Sequence, residues 1–399
     1  MRKVSKIAFF SIPAYGHTNP TLEVVKELVS RGNQVRYYAY HAQREKIEST
    51  GASFISCDDY DIQMHLSPED GERLAKDIAF STQLIVKMTL AMDDTIIREM
   101  AQWSPQCIVA DSMATWGKLA AWKLGVPLMC STTTFAFNRY SSKIMKQTLP
   151  QTFRMLCSMP KANRYVKLLR DKGYPVKNVL SLISNDNDTN TIVYTSAKFQ
   201  PCAETFSDKY TFVGPSIKLP QSKGLKPHRT TVYISLGTVN NLKADFYRNC
   251  MEALGDANMD VVLSVGENID PKTLGAVPDN FTAAPSVNQI EILQNADVFL
   301  THCGMNSVNE ALYCGVPLVL FPQTPEQSGV AYRVNELGAG MYLPNDSPQA
   351  IRETILAVLK DGSYKLGAKE ISDDFHQCGG YRLAADKIES LIESSGHGR

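Results

Sequence analysis

The segment from Thr301 to Gln327 contains the residue types and spacing that point most directly to chemistry. Its apolar start, residues 297–300, predicts a buried parallel strand, and Gly304 in the following turn predicts a backbone conformation that only glycine adopts cheaply. A short helix is predicted to begin near Asn306 and to end at Gly315. The N-terminus of such a helix presents unpaired N–H groups and the positive end of its dipole, and both favour a phosphate group.

Ser307 and Glu310 also have a second interpretation, because serine followed three residues later by glutamate can form a capping box. Both side chains would then satisfy N–H groups of their own helix rather than a ligand. The polar cluster Gln323–Gln327 favours a ligand, since it directly follows the next apolar strand, Pro317–Phe321. Ligands of open parallel sheets bind at the carboxyl ends of neighbouring strands.

His17 and Asp111 form a second candidate site in the first half of the chain. His17 follows the first apolar strand, and Asp111 ends another strand of the same predicted sheet. A histidine titrates near neutrality and can accept a hydroxyl proton, although a single histidine can equally be structural. Because both residues lie at one sheet edge, they can pair as a base and its orienting carboxylate.

Composition excludes several classes of protein. The 399 residues, 44% of them hydrophobic, can bury a sizeable core, and the length indicates two domains. The 41 basic and 41 acidic residues cancel, so no whole-protein field attracts nucleic acid or an anionic membrane. No apolar stretch is long enough for stable membrane insertion. Nine cysteines without C-x-x-C spacing predict reduced thiols and a cytoplasmic protein.

Alternating strand-like and helix-like segments predict the elements that position these residues. The first helix is predicted to start at Asn19, with Pro20 in its first turn and Gly32 beyond its end. The alternation indicates an α/β fold with two doubly wound parallel sheets. No G-x-G-x-x-G or Walker pattern follows any strand, so neither a dinucleotide nor an ATP site is expected. The predicted strands are residues 6–12, 34–40, 53–57, 107–111 and 127–132, then 231–236, 260–265, 281–283, 297–301 and 317–321.

The sequence HCGMNSVNEALYCGVP, followed by PQTPEQ, resembles the donor-binding signature of the family 1 nucleotide-sugar glycosyltransferases, most closely the bacterial macrolide and flavonoid branch. The similarity extends to IPAYGHTNP, VADSM, VGP and ISLGT elsewhere in the chain. It implies the GT-B architecture, in which two Rossmann-like domains face each other across a cleft. The implied boundaries are 1–215 for an acceptor domain, 216–230 for a linker and 231–379 for a donor domain, with a last helix, 380–395, packing back on the first domain.

The resemblance also assigns roles to individual residues. His17 would be the base and Asp111 its partner. The donor ligands it implies are His302, Gly304, Asn306 and Ser307 with Thr238 at the diphosphate, Glu310 at the ribose, Val287 and Gln289 at the base, and Glu326 and Gln327 at the sugar.

The base-binding stretch departs from the plant branch of this family. There a W-x-P-Q pattern places tryptophan against uracil, whereas this chain has Ser286-Val-Asn-Gln289. Ser286 provides no stacking ring, and Asn288 replaces the rigid proline. Uridine remains the expected base.

Residues 131–180 carry rings and thioethers that could line an acceptor pocket, as the resemblance implies, or could form ordinary core. These are Phe135, Phe137, Tyr140, Met145, Phe153, Met155 and Met159.

The expected function is that of an inverting UDP-sugar-dependent glycosyltransferase. It would move a hexose, with glucose expected, to a hydroxyl of an apolar small molecule such as a phenolic, flavonoid, macrolide or triterpenoid. No metal or other cofactor is expected, since the D-x-D matches at 59–61 and 186–188 read as solvated loops of the acceptor half. A nucleotide-sugar epimerase of the same architecture and a non-catalytic ligand-binding homologue are the alternatives.

Overall fold

The computed structural model describes residues 4–58, 73, 77–144, 149–183, 187–220, 229–238 and 241–396. The chain forms two compact units. The first comprises Met1–Ser142, Gln147–Ile217 and Cys378–Arg399, and the second comprises Lys143–Lys146 and Lys218–Gln377. Most of the predicted linker, the D-x-D match at 59–61, Asp186 and Met145 lie outside the described residues.

The first unit is built on a seven-stranded sheet in which every described pair is parallel. Its strands are β1 (Lys6–Phe10), β2 (Gln34–Ala39), β3 (Ser53–Ser56), β4 (Cys107–Asp111), β5 (Leu128–Thr132), β6 (Thr191–Val193) and β7 (Tyr210–Phe212). Their order, β3-β2-β1-β4-β5-β6-β7, reverses direction between β1 and β4. The sequence predicted the first five strands but not β6 and β7, whose three residues are too few to show a periodic pattern.

Helices cover both faces of this sheet, which explains why its central strands β1 and β4 are almost entirely buried. Along β1, Ile7 packs in a cluster with Val24 of the first helix, whereas its neighbour Ala8 packs with Met92 on the opposite face. The helices of this unit are Tyr15–Ser30, Arg44–Glu48, Ile78–Trp103, Thr115–Leu124, Leu149–Asp171, Val179–Ile183 and Gly380–Gly396. None of the helices in the described ranges is long and apolar enough to cross a membrane.

The first helix begins five residues earlier than the sequence predicted. Ala14, rather than Asn19, is its N-cap, and Pro20 lies inside the helix. Hydrogen bonds from the N–H groups of His17 and Thr18 to the Ala14 carbonyl close the first turn upstream of the proline. His17 is therefore the third residue of the helix and not part of the preceding turn.

The C-terminal helix, Gly380–Gly396, packs against the first helix within the first unit. Its Ile388 is fully buried in the same cluster as Val24. Arg31 at the end of the first helix donates to Asp386 at 2.6 Å and to Glu389 at 2.8 Å.

The second unit repeats the architecture with six parallel strands in the order β10-β9-β8-β11-β12-β13. They are β8 (Thr231–Ser235), β9 (Asp260–Ser264), β10 (Phe281–Ala284), β11 (Val298–Thr301), β12 (Leu318–Leu320) and β13 (Gly340–Tyr342). The direction reverses between β8 and β11. Its helices are Ala244–Leu254, Gln289–Leu293, Met305–Tyr313, Pro325–Glu336, Pro348–Lys360 and Gly362–Gln377. Of the six strands, the sequence missed only the three-residue β13.

Candidate active site

Both candidate sites lie where the strand order of a sheet reverses. At such a reversal, the connections that follow two neighbouring strands run in opposite directions and leave a crevice at the carboxyl ends of those strands. Ligands of open α/β sheets bind in this crevice. In the first unit the reversal falls between β1 and β4, the strands that precede His17 and end in Asp111. In the second unit it falls between β8 and β11, which lead into Gly237 and His302.

The first unit brings His17 and Asp111 into direct contact. Nδ1 of His17 lies 2.8 Å from Oδ2 of Asp111, and the other carboxylate oxygen accepts a hydrogen bond from the Met113 N–H at 2.8 Å. The Asp111 side chain is 1% exposed and the His17 side chain 21% exposed. A carboxylate oxygen accepts hydrogen bonds, so the hydrogen bond to Asp111 places a proton on Nδ1 and leaves Nε2 as the ring nitrogen that can accept one.

Thr133 completes this cluster, and the sequence analysis missed it. Its hydroxyl lies 3.2 Å from Nδ1 of His17, and the residue is buried. Thr133 directly follows β5, the strand paired with β4. A signal was present, because β5 ends in polar residues at the same sheet edge as Asp111, which ends β4.

The turn after β11 differs from the sequence prediction in one backbone detail. Gly304 has φ −62°, an ordinary value, whereas Cys303 is the residue in the left-handed region, with φ 65°. Gly304 is required for space instead, because a Cβ there would lie 2.5 Å from Nε2 of His302. The helix Met305–Tyr313 follows with Gly304 as its N-cap, and Gly315 adopts the predicted left-handed conformation beyond its end.

The imidazole of His302 lies between two glycines. A Cβ on Gly237, at the end of β8, would lie 2.5 Å from Cε1 of the His302 ring. Gly237 also has φ 77°, so this position excludes side chains for two reasons. The glycines that follow β8 and β11 thus make room for one ring at the reversal of the sheet.

His302 is neutral at physiological pH. Desolvation by the surrounding protein lowers its pKa to about 4, and the backbone of Ser235 offsets only part of this shift. Nδ1 is buried and makes no hydrogen bond of ordinary geometry with the described residues. The ring can donate a hydrogen bond to a phosphate, but it brings no positive charge of its own.

Ser307, Glu310 and Gln289, which the resemblance assigns to three parts of the donor, lie together, with Gln289 within hydrogen-bond distance of the other two. The Gln289 amide nitrogen lies 2.5 Å from Oε2 of Glu310 and 3.4 Å from the Ser307 hydroxyl. The buried Tyr233 hydroxyl donates to the amide oxygen of Gln289 at 3.1 Å. Burial raises the pKa of Tyr233 to about 12, so this hydroxyl stays protonated. The capping-box interpretation of Ser307 and Glu310 is wrong, because the N-cap is Gly304, which has no side chain to cap the helix.

A capping box is present in the next helix, Pro325–Glu336. The Thr324 hydroxyl accepts from the Gln327 N–H at 3.3 Å, and the Gln327 side-chain oxygen accepts from the N–H groups of Thr324 and Gln323 at 3.1 and 2.7 Å. Gln327 therefore holds the start of its own helix with its oxygen, which leaves its amide N–H groups as the donors available to a ligand. Glu326 beside it is exposed.

The remaining predicted donor residues lie at the same edge of the second sheet. Thr238 is exposed after β8, and Asn306 is half-buried in the first turn of the helix that starts at Met305. Val287 is half-buried and Ser286 exposed in the segment between β10 and Gln289.

The aromatic residues considered for an acceptor pocket divide into different environments. Phe135 is core, 2% exposed with its ring centre 5.5 Å from that of Phe199. Phe137, Met155 and Met159 are half-buried, whereas Tyr140 and Phe153 are exposed. Of the two interpretations, acceptor pocket or hydrophobic core, the burial of Phe135 favours the core for this residue.

Among the described residues, no three His, Cys, Asp or Glu side chains cluster in a way that could hold a metal ion. All nine cysteines are free, as expected from their spacing.

Comparison with known proteins agrees with this geometry and defines the class as a glycosyltransferase of GT-B fold. The family described as "Erythromycin biosynthesis protein CIII-like, C-terminal domain" matches residues 248–378. NDP-glycosyltransferase YjiC of Bacillus subtilis (strain 168) is 33% identical over 98% of both chains. Another protein of that organism, named "Uncharacterized UDP-glucosyltransferase YojK", is also 33% identical over 98% of both chains. The crystal structure of the calicheamicin glycosyltransferase CalG4 is 26% identical, with a TM-score of 0.80 over 98% of this chain and 99% of that one.

The chain therefore belongs to the bacterial branch of the family 1 nucleotide-sugar glycosyltransferases, and it is a transferase enzyme. These relatives are named as transferases, and they align with nearly the full length of the chain. The epimerase and the non-catalytic alternatives are therefore set aside.

Proposed function

We propose that this enzyme is an inverting UDP-sugar-dependent glycosyltransferase that moves glucose to a hydroxyl of an apolar small molecule. The contact between His17 and Asp111 at the strand reversal of the first unit carries this proposal. It supplies a base with a fixed tautomer, which a single displacement at the anomeric carbon requires.

In the proposed reaction, Nε2 of His17 accepts the proton of the acceptor hydroxyl. The hydroxyl oxygen attacks the anomeric carbon as the bond between that carbon and the phosphate oxygen breaks. UDP leaves, and the configuration at the anomeric carbon inverts. Asp111 would stabilise the imidazolium that forms, because its side chain is buried and lies within hydrogen-bond distance of Nδ1.

The second unit would bind the donor. The first turn of the helix Met305–Tyr313, with Asn306 and Ser307, provides N–H groups and the positive end of the helix dipole for the diphosphate. His302 would add a hydrogen bond from its neutral ring and Thr238 one from its hydroxyl. Glu310 would accept hydrogen bonds from the ribose.

The sugar and the base would be held at either side of this helix. Glu326 would accept from sugar hydroxyls, and the amide N–H groups of Gln327 would donate to them while its oxygen keeps the capping box. Gln289 donates a hydrogen bond to Glu310, so it would orient Glu310, the proposed ligand of the ribose, and would also contact the base. Uridine and glucose are supported by the UDP-glucosyltransferase name of the relative YojK.

The apolar acceptor is supported by the calicheamicin acceptor that the name of CalG4 states for that enzyme. The test is incubation of the protein with UDP-glucose and a panel of phenolic, macrolide and triterpenoid hydroxyl compounds, followed by product mass. NMR of the product should show a β-glucoside from the α-linked donor. An α-glucoside, or transfer only from other nucleotide sugars, would contradict the proposal.

A further inference from the structure

The helix Leu149–Asp171 exposes large apolar side chains on the face that turns away from the protein. Its inner face is core, since Ala162, Val166 and Leu169 are fully buried in one hydrophobic cluster. On the outside, Phe153 is 70% exposed and Leu156 is 59% exposed.

The same outer face carries unbalanced positive charge. Lys161, Arg164 and Leu168 follow the i, i+3, i+7 spacing of one helix face, with Lys167 beside them. Phe153 precedes Arg164 by about three turns, so it lies on the same side. All three cations are exposed, and within the part of the chain that the structure describes none of them forms an ion pair with a carboxylate.

The positive charge around this helix is not apparent from the net charge of the whole chain. Residues 149–180 contain seven basic side chains and one acidic side chain, whereas the complete chain has a formal net charge of +0. The seven are Arg154, Lys161, Arg164, Lys167, Arg170, Lys172 and Lys177, and the acidic one is Asp171. All eight side chains are exposed. The remainder of the protein therefore contains more acidic than basic side chains.

We propose that the outer face of this helix, formed by Phe153, Leu156, Lys161, Arg164, Lys167 and Leu168, binds the surface of a bilayer that contains anionic lipids. Lysine and arginine attract the lipid phosphates, while exposed apolar side chains enter the boundary between headgroups and acyl chains. A nucleic acid would also engage the cations, but the face offers its bases a single ring, Phe153, whereas Leu156 and Leu168 cannot stack on a base. Three large apolar side chains suit reversible binding at the surface.

Binding at a bilayer would bring the enzyme to the place where apolar molecules concentrate. This consequence rests on the proposed acceptor class. The binding itself depends only on the helix, so it can be tested without any transfer assay.

The test is flotation of the full chain with vesicles of phosphatidylcholine alone and with phosphatidylglycerol added. We expect binding only to the anionic vesicles, at low ionic strength, and release near 1 M salt, where screening acts within about 3 Å. Each basic residue near the surface contributes about a fivefold factor, so K161E/R164E/K167E, which removes three positive charges and adds three negative ones, should weaken binding at least about 100-fold. F153S/L156S should weaken it while keeping the charge.

A matched control is K272E/K360E/K365E, which reverses three exposed lysines of the second unit and should bind like the wild type. Thermal unfolding of each variant checks that it is folded. No binding to anionic vesicles, equal binding to phosphatidylcholine, or unchanged binding by K161E/R164E/K167E would overturn the proposal. Tighter binding to a duplex DNA oligonucleotide than to the vesicles, lost in the same variant, would also overturn it.

Discussion

Nδ1 of His17 lies 2.8 Å from Oδ2 of Asp111, although 94 positions separate the two residues in the chain. The parallel pairing of β1 with β4 brings them together, because it aligns the carboxyl ends of both strands. Since Asp111 is almost fully buried, it orients the ring and fixes its tautomer.

Replacement of His17 by alanine should lower turnover roughly 100- to 10,000-fold, the usual contribution of a positioned base. The dissociation constant for UDP should stay unchanged, because the proposed UDP ligands belong to the second unit. Phenols, with a pKa of about 10, should lose less than aliphatic alcohols, whose proton is harder to remove. Steady-state kinetics with both acceptor types and calorimetry with UDP provide the measurement.

Thr133→Val is the control for the His17 substitution. It removes the 3.2 Å contact to Nδ1 and leaves Asp111 in place, so we expect a loss of less than about tenfold. An equal loss for phenols and alcohols in His17→Ala, or a parallel loss of UDP binding, would show that His17 is structural.

Asp111→Asn should be about as damaging as His17→Ala. The Met113 N–H holds the oxygen at the Oδ1 position, so the new amide nitrogen would face His17 and donate to Nδ1. The ring would then carry its proton on Nε2 and could not accept another. Turnover within tenfold of the wild type would mean that the tautomer does not matter.

Gln327→Glu should weaken binding of UDP-glucose without weakening binding of UDP. A glutamate keeps the oxygen of the capping box but removes the amide N–H groups proposed to contact the sugar. The expected loss is about 1 to 3 kcal/mol. Gln327→Ala is the comparison, since it should also destabilise the helix Pro325–Glu336. Equal losses for UDP and UDP-glucose in Gln327→Glu, measured by calorimetry, would refute the sugar contact.

Tyr233→Phe should reduce UDP affinity about threefold to tenfold, because Gln289 loses the hydroxyl that orients it against Glu310. Tyr247→Phe is a matched control in the same unit, since its buried hydroxyl has no hydrogen-bond partner among the described residues. That variant should bind UDP normally. Indistinguishable affinities in the two variants would show that the tyrosine–glutamine–glutamate contact does not position the donor ligand.

His302 should make folding stability sensitive to acid. Its pKa falls from 6.5 to about 4 on folding, so the unfolded chain binds the proton more readily. The contribution of neutral His302 to the free energy of unfolding is fully present above pH 6.5 and is lost as the pH falls toward 4. At pH 5, about 2 kcal/mol of it is lost. Chemical unfolding at pH 7 and pH 5 should show a smaller pH effect in His302→Gln. Identical pH effects in the two proteins would contradict a neutral His302.

Transfer activity should survive treatment with EDTA. The proposed diphosphate site relies on a helix N-terminus and on hydrogen bonds from His302 and Thr238, which need no bridging cation. Initial rates with and without chelator measure this directly. Loss of activity that magnesium or manganese restores would show that a cation joins the donor.

The sequence by itself determined the class of fold, the strands long enough to show a pattern, and the sheet edges that carry polar residues. These follow from local runs of apolar residues and from short signatures such as HCGMNSVNEALYCGVP, which need no distant contact to be read. It also paired His17 with Asp111, because polar residues that end neighbouring parallel strands meet at one edge.

Tertiary structure decided the details that depend on residues far apart in the chain. Gly237 and Gly304 come from different strands, and only their approach to one ring explains why both lack a side chain. The capping box formed at Gln327 rather than at Ser307, because Gly304 begins the earlier helix and leaves no side chain to close a box. Strand pairing also placed Thr133 beside His17. Local patterns fix which elements form, but packing fixes which side chains meet, since it sums contacts over the whole unit.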